Sequence, residues 1–169
     1  MGRREHQAKA PKSISLAVIT VSDTRTEAED ESGALIRRLC VKAGHTVAAY
    51  RLVPDEPAQV RSALWELLAR PDVRAILING GTGISARDRT FEAVSATLGR
   101  RIDGFGELFR ALSYAQIGPA AMLSRAVAGI ASGVAIFSMP GSPPAVRLAM
   151  EKLILPEIGH VVAEAAKLS

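Results

Sequence analysis

The chain of 169 residues holds one cysteine, one tryptophan, two tyrosines and three histidines, and each scarcity removes a class of function. The lone Cys40 makes no intrachain disulfide. It falls within an apolar pattern of helical spacing, which reads as a buried thiol in a reducing compartment. Aromatic residues amount to 4%, too few to build the stacking platforms on which single-stranded nucleic acids lie. His6, His45 and His160 are scattered, with no serine or cysteine elbow beside them, so neither a nucleophilic triad nor a histidine–cysteine metal site takes shape. No lysine occurs between Lys42 and Lys152, which rules out the Gly-Lys-Ser/Thr of a P-loop. No apolar run reaches the roughly 18 residues of a membrane span, and no basic segment followed by an apolar one opens the chain. A cytoplasmic protein without membrane or nucleic-acid partners is expected.

The formal charge of +4 is equally uninformative about a basic face once it is located. Residues 1–13 carry Arg3, Arg4, Lys9 and Lys12 against Glu5 alone, and the remainder is nearly balanced. The chain therefore divides into a basic tail, 1–13, and one domain, 14–169, whose 48% hydrophobic and 22% charged residues suit a globular core.

Within that domain, Ser15–Ser22 is a short, β-branched apolar run, the mark of a strand covered on both faces. Helical spacing follows over Glu31–Ala43 and stops at Gly44. Strands are predicted at Thr46–Val53 and Ala75–Asn79, with helices over Ala58–Ala69, Thr90–Leu98 and Leu108–Gln116. Ala126–Ile130 and Val134–Met139 flank a turn of hairpin length, and a helical tail runs from Pro144 to Leu168 with Pro156 breaking or kinking it. Strands alternating with helices predict a three-layer α/β/α sandwich, mostly parallel, with one antiparallel strand.

In such sheets the loops after the strands share one edge, and ligands bind there. Those loops are Ser22-Asp23-Thr24, Asp55-Glu56, Gly80-Gly81-Thr82-Gly83 with Arg87-Asp88, and Pro140-Gly141-Ser142-Pro143. The glycines suit close approach of backbone N–H groups to phosphate, Thr82 and Ser85 supply hydroxyls, and Arg87 or Arg89 could neutralise charge. A plain strand-to-helix turn would use the same glycines. Asp55 and Asp88 make sense beside phosphate if Mg²⁺ sits between, although each could equally cap a helix. Glu107 either joins them or belongs to the first turn of its own helix. The segment Gly81–Ala86 fits the loose GxGxxG/A pattern, but it follows the third strand and lacks the acidic residue that a dinucleotide site needs about 20 residues later.

Five segments stand in a recognisable order: Gly80-Gly81-Thr82-Gly83, Arg87-Asp88-x-Thr90, Gly104-Phe105-Gly106-Glu107, Leu123-Ser124-Arg125-Ala126 and Pro140-Gly141-Ser142-Pro143. From Ser15 to Leu168 the chain resembles the molybdenum cofactor biosynthesis protein B (MoaB/MogA) family, whose domain also forms the G domain of gephyrin. The resemblance implies a molybdopterin adenylyltransferase, in which the terminal phosphate of molybdopterin attacks the α-phosphorus of Mg-ATP and pyrophosphate leaves. It places the catalytic, magnesium-binding carboxylates on Asp55 and Asp88, with Glu107 as a third acidic residue. Asp23, Gly80, Gly81, Thr82, Gly83, Ser124, Pro140, Gly141 and Ser142 fall on the ligand-binding loops, and a homotrimer or hexamer is implied. The same family leaves room for a binding or scaffold protein without turnover, and the fold is shared by nucleotide-pyrophosphate hydrolases. Two departures stand out. Phe91 replaces a usual proline, which implies a less rigid loop, and Pro144 replaces a frequent lysine.

Overall fold

The computed structural model describes residues 11–168, so most of the basic tail, residues 1–10, lies outside the described residues, as does Ser169. The element order is β1 (Ser15–Val21), α1 (Glu31–Lys42), β2 (Thr46–Val53), α2 (Pro57–Leu68), β3 (Ala75–Asn79), α3 (Thr90–Thr97), β4 (Arg100–Arg101), α4 (Asp103–Ile117), β5 (Val127–Ala131), β6 (Val134–Met139), α5 (Pro143–Ala149) and α6 (Leu155–Ala165). A π turn, Met150–Ile154, joins the last two helices, and Pro156 stands at the start of α6, where its missing N–H does no harm.

The six strands form one sheet in the order β2-β1-β3-β6-β5-β4. Neighbours pair in parallel from β2 to β6, while β5 runs against both β6 and β4. This is the expected layered architecture with one reversed strand. The hairpin β5–β6 turns on Ser132 and Gly133, both at positive φ (49° and 73°), as a two-residue turn matched to strand twist requires.

Alternation along the strands divides the core in two. Leu16 and Val18 of β1 and Leu77 of β3 face α1, α4, α5 and α6, where Ile36, Cys40, Phe109 and Met150 meet them. Ile19 of β1 and Ile76 and Ile78 of β3 face α2 and α3, against Val60, Leu64, Leu67 and Val94. Each such buried side chain contributes about 1.5–3 kcal/mol, which is why a nearly all-apolar run becomes a central strand. Cys40 is fully buried, as expected, and burial pushes its thiol up to about 12.

Two features differ from the sequence reading. The helix placed at Leu108–Gln116 begins five residues earlier, at Asp103, so Gly104-Phe105-Gly106-Glu107 is helix rather than loop. The cause is tertiary: Phe105 packs edge-on to Phe137 with ring centroids 5.4 Å apart, and that anchor outweighs the poor helix propensity of two glycines. The two-residue edge strand β4 escapes sequence patterns altogether, since both of its arginines are exposed.

Candidate functional site

The parallel register sets the site. Val21 of β1 pairs with Val53 of β2, Thr20 with Asn79 of β3, and Asn79 with Met139 of β6, so four strands end at one level. Between β1 and β3 the chain switches direction across the sheet, which opens a crevice above the strand ends. A cavity of about 480 Å³ occupies it, lined by Asp23, Arg25, Asp55, Gly80, Gly81, Thr82, Gly83, Arg87, Asp88, Ser124, Pro140, Gly141 and Ser142 among others. Of the side chains singled out by sequence, Glu107 is not brought there. It is exposed on the second turn of α4 and does not line the cavity, because the early start of that helix carries it away from the strand ends.

Asp55 is buried at 6% exposure and does two jobs. Its Oδ1 accepts from the backbone N–H of Arg89 (3.2 Å) and the hydroxyl of Thr90 (3.1 Å), at the start of α3. The helix-cap alternative is thus half correct: Asp55 caps not its own following helix, which begins on Pro57, but one that starts more than thirty residues later. Its Oδ2 accepts no hydrogen bond among the described residues and lies toward Gly81. A Cβ on Gly81 would stand 2.4 Å from that oxygen and 2.1 Å from Thr90 Oγ1, at a φ of +62°, so only glycine lets the loop lie across this carboxylate. Burial pushes the Asp55 carboxyl above the ordinary aspartate range, the Arg89 N–H and Thr90 hydroxyl oppose it, and the charges of Asp88 and Asp23 add to it.

Asp88 is half-buried, and its Oδ2 accepts from the N–H (3.1 Å) and hydroxyl (2.5 Å) of Ser85, closing a turn within the glycine loop. Its other oxygen is unbonded among the described residues. Asp23 accepts from Asp55 N–H (3.0 Å) and from Arg87 Nη2 (2.8 Å), and the Arg87 bond chiefly holds its carboxyl below the ordinary range. Arg87 also donates to Glu56 (3.0 Å), so it stitches three loops together rather than standing free for a ligand. The Arg89 side chain lines a neighbouring cavity, and its backbone N–H serves Asp55. Ser142 precedes α5 with its hydroxyl unused as a cap.

Arg125 was visible in the sequence as part of a motif but without a role. Its Nε donates to the carbonyl of Thr82 (3.0 Å) and its Nη2 to that of Asp88 (2.9 Å), with further bonds to the Gly83 carbonyl and to Glu92. The guanidinium lies 5.0 Å from the centroid of the Phe91 ring. The residue that departs from the usual proline therefore supports the clamp on the loop it was expected to loosen. A lysine has no fork to reach three carbonyls at once. We expect Arg125→Lys to cost about 1–2 kcal/mol, seen as a drop of about 3–6 °C in melting temperature by calorimetry; an unchanged melting temperature would deny the clamp.

With this geometry in view, comparison with known proteins is direct. Residues 17–160 match the family described as a probable molybdopterin binding domain. Molybdenum cofactor biosynthesis protein B of Halalkalibacterium halodurans is 51% identical over 168 residues, 99% of each chain, and that of Bacillus subtilis is 47% identical over 168 residues at the same coverage. A crystal structure of molybdenum cofactor biosynthesis protein B superposes with a TM-score of 0.91 at 51% identity, over 94% of this chain and 99% of the other. The tungsten cofactor synthesizing protein MoaB from Pyrococcus furiosus gives 0.84 at 38% identity, over 93% and 99%. The chain belongs to the MoaB/MogA family of molybdenum cofactor biosynthesis proteins.

Proposed function

We propose that the protein is a molybdopterin adenylyltransferase, which joins AMP from Mg-ATP to the terminal phosphate of molybdopterin and releases pyrophosphate. The observation that carries this reading is the meeting of Asp55 and Asp88, far apart in sequence, on one cavity beside the glycine loop. Each keeps one carboxylate oxygen without a hydrogen bond among the described residues, and no group of three or more His, Cys, Asp or Glu side chains there could hold a metal alone. That donor set fits Mg²⁺, which takes one or two carboxylates and fills its other positions with water and phosphate oxygens. When bound, the ion would neutralise the charge of the triphosphate and of the developing transition state. The N–H groups of Gly80–Gly83 and the Thr82 hydroxyl would hold phosphate oxygens, while Ser124 and Pro140–Ser142 face the second substrate. Transfer between two phosphates is largely a matter of positioning and charge, so a protein nucleophile has no part to play.

A second copy of the chain belongs to the same proposal. Leu108, Tyr114 and Ile117 on α4, with Met122 and Leu123 after it, are 53–77% exposed, an apolar concentration suited to a homo-oligomeric contact.

The deciding experiment incubates purified protein with molybdopterin and Mg-ATP and follows pyrophosphate together with the mass of the pterin product. Adenylylated molybdopterin is the expected result. Binding of both ligands without product would instead favour a non-catalytic carrier, for which Pro144, offering no cation at the start of α5, is the supporting feature.

The carboxyl of Asp55 supplies a pH test. Its raised value means that the folded protein holds this proton more tightly than the unfolded chain. Ionised Asp55 therefore costs stability above the raised value, and the cost fades as pH falls through it toward the ordinary aspartate range. Urea denaturation should show wild type gaining stability relative to Asp55→Asn on acidification, and a difference independent of pH would contradict this.

A further inference from the structure

Beneath the cavity, on the side away from Asp55, lies a buried polar knot that the chemistry above leaves unused. Asp30 precedes α1 and is 1% exposed. Its Oδ1 accepts from the N–H of Gly33 (2.9 Å) and its Oδ2 from the hydroxyl of Tyr50 (2.7 Å). Thr20, fully buried at the end of β1, accepts from Asn79 Nδ2 (2.9 Å) and completes the knot.

A buried carboxylate is an expensive way to cap a helix, since asparagine or serine would do so without desolvating a charge. The charge has a counterpart in Arg25, whose Nη1 lies 4.0 Å from Asp30 Oδ1. The same nitrogen donates to the carbonyl of Gly141 (3.3 Å), which also accepts from Ser32 (2.7 Å). Arg25 is thus tethered between the first and last rim loops, and its side chain lines the cavity at 36% exposure. The cavity's other arginine, Arg87, is spent on Asp23 and Glu56. The lining is consequently two-sided. Asp23, Asp55 and Asp88 repel any phosphate that arrives without a metal, whereas Arg25 attracts one.

We propose that Arg25 is the binding residue for a metal-free phosphate monoester, the terminal phosphate of the pterin substrate, and that Asp30 is the positioning residue that holds Arg25 toward it. This rests on the adenylyltransferase reading and assigns one phosphate to each side: the nucleotide's, with its magnesium, to the carboxylates, and the acceptor's to Arg25. Arginine suits the task because its planar fork matches phosphate oxygens.

The test is calorimetric titration of the full chain with molybdopterin in EDTA and, separately, with Mg-ATP. Arg25→Ala should weaken molybdopterin about 30-fold or more while Mg-ATP stays within about twofold. Asp30→Asn keeps an acceptor for the Gly33 cap but removes the charge, and should weaken molybdopterin about fivefold with Mg-ATP again unchanged. A merely structural defect would weaken both ligands alike. If Asp30→Asn does not fold, Arg25→Ala, on a part-exposed side chain, decides alone. Molybdopterin affinity unmoved by Arg25→Ala, or Mg-ATP affinity lost equally, overturns the proposal and leaves the adenylyltransferase standing. A wild-type protein that binds neither ligand overturns both.

Discussion

Asp55→Asn is expected to lower the rate of pyrophosphate release by about 10²–10³-fold, equivalent to about 3–4 kcal/mol of lost transition-state stabilisation, while the protein melts within a few degrees of wild type. The asymmetry follows from the two oxygens. Asparagine retains an Oδ1 to accept from Arg89 N–H and the Thr90 hydroxyl, so α3 keeps its cap. What disappears is the charge that would face magnesium. Asp55→Ala removes both functions and should add a stability loss of about 1–2 kcal/mol, the usual cost of an empty cap. The pair of variants separates the structural role from the catalytic one. Turnover by Asp55→Asn within tenfold of wild type would show that this carboxylate is structural and nothing more.

Gly81→Ala should be a severely damaging single-methyl change in the site. The added carbon would overlap Thr90 Oγ1 at 2.1 Å and Asp55 Oδ2 at 2.4 Å, on a backbone with φ +62°. The left-handed conformation alone costs alanine about 1–2 kcal/mol, and forcing a methyl into occupied space typically adds another 1–3 kcal/mol. The sum, about 2–5 kcal/mol, is expected as a fall of about 4–20 °C in melting temperature for a chain of this size, together with loss of Mg-ATP binding as the loop lifts from Asp55. Gly44→Ala is the internal control, because that glycine has φ +86° with nothing within 4 Å of the added carbon. It should show the conformational cost without the collision. Equal melting temperatures for the two variants would mean that the loop over Asp55 is not held as described.

These cases also show how far the sequence carries. Strands β1 and β3 were legible as short, almost wholly apolar runs, helix α1 because its apolar residues repeat with the helical period, and β2 and α1 because the breakers Gly44, Pro54 and Pro57 stand at their boundaries. The convergence of the glycine loop with Asp55 and Asp88 was legible because loops after parallel strands share an edge whatever their separation in the chain. What escaped depends on contacts between segments remote in sequence. That Asp55 caps α3 and not α2 is decided by loops that meet in space, and no local pattern records it. Arg125 reaches carbonyls forty residues back, and carbonyl acceptors are the same in every residue. Spacing left Glu107 open between the site and its own helix; the packing of Phe105 makes that stretch helix, and Glu107 does not line the cavity.

The double employment of Asp55 has a consequence for how this protein fails. One side chain both caps the helix at Thr90 and lines the cavity, so on the proposed chemistry fraying of that helix would also displace a carboxylate of the site. Local opening in this corner is therefore expected to cost turnover before the rest of the fold is lost.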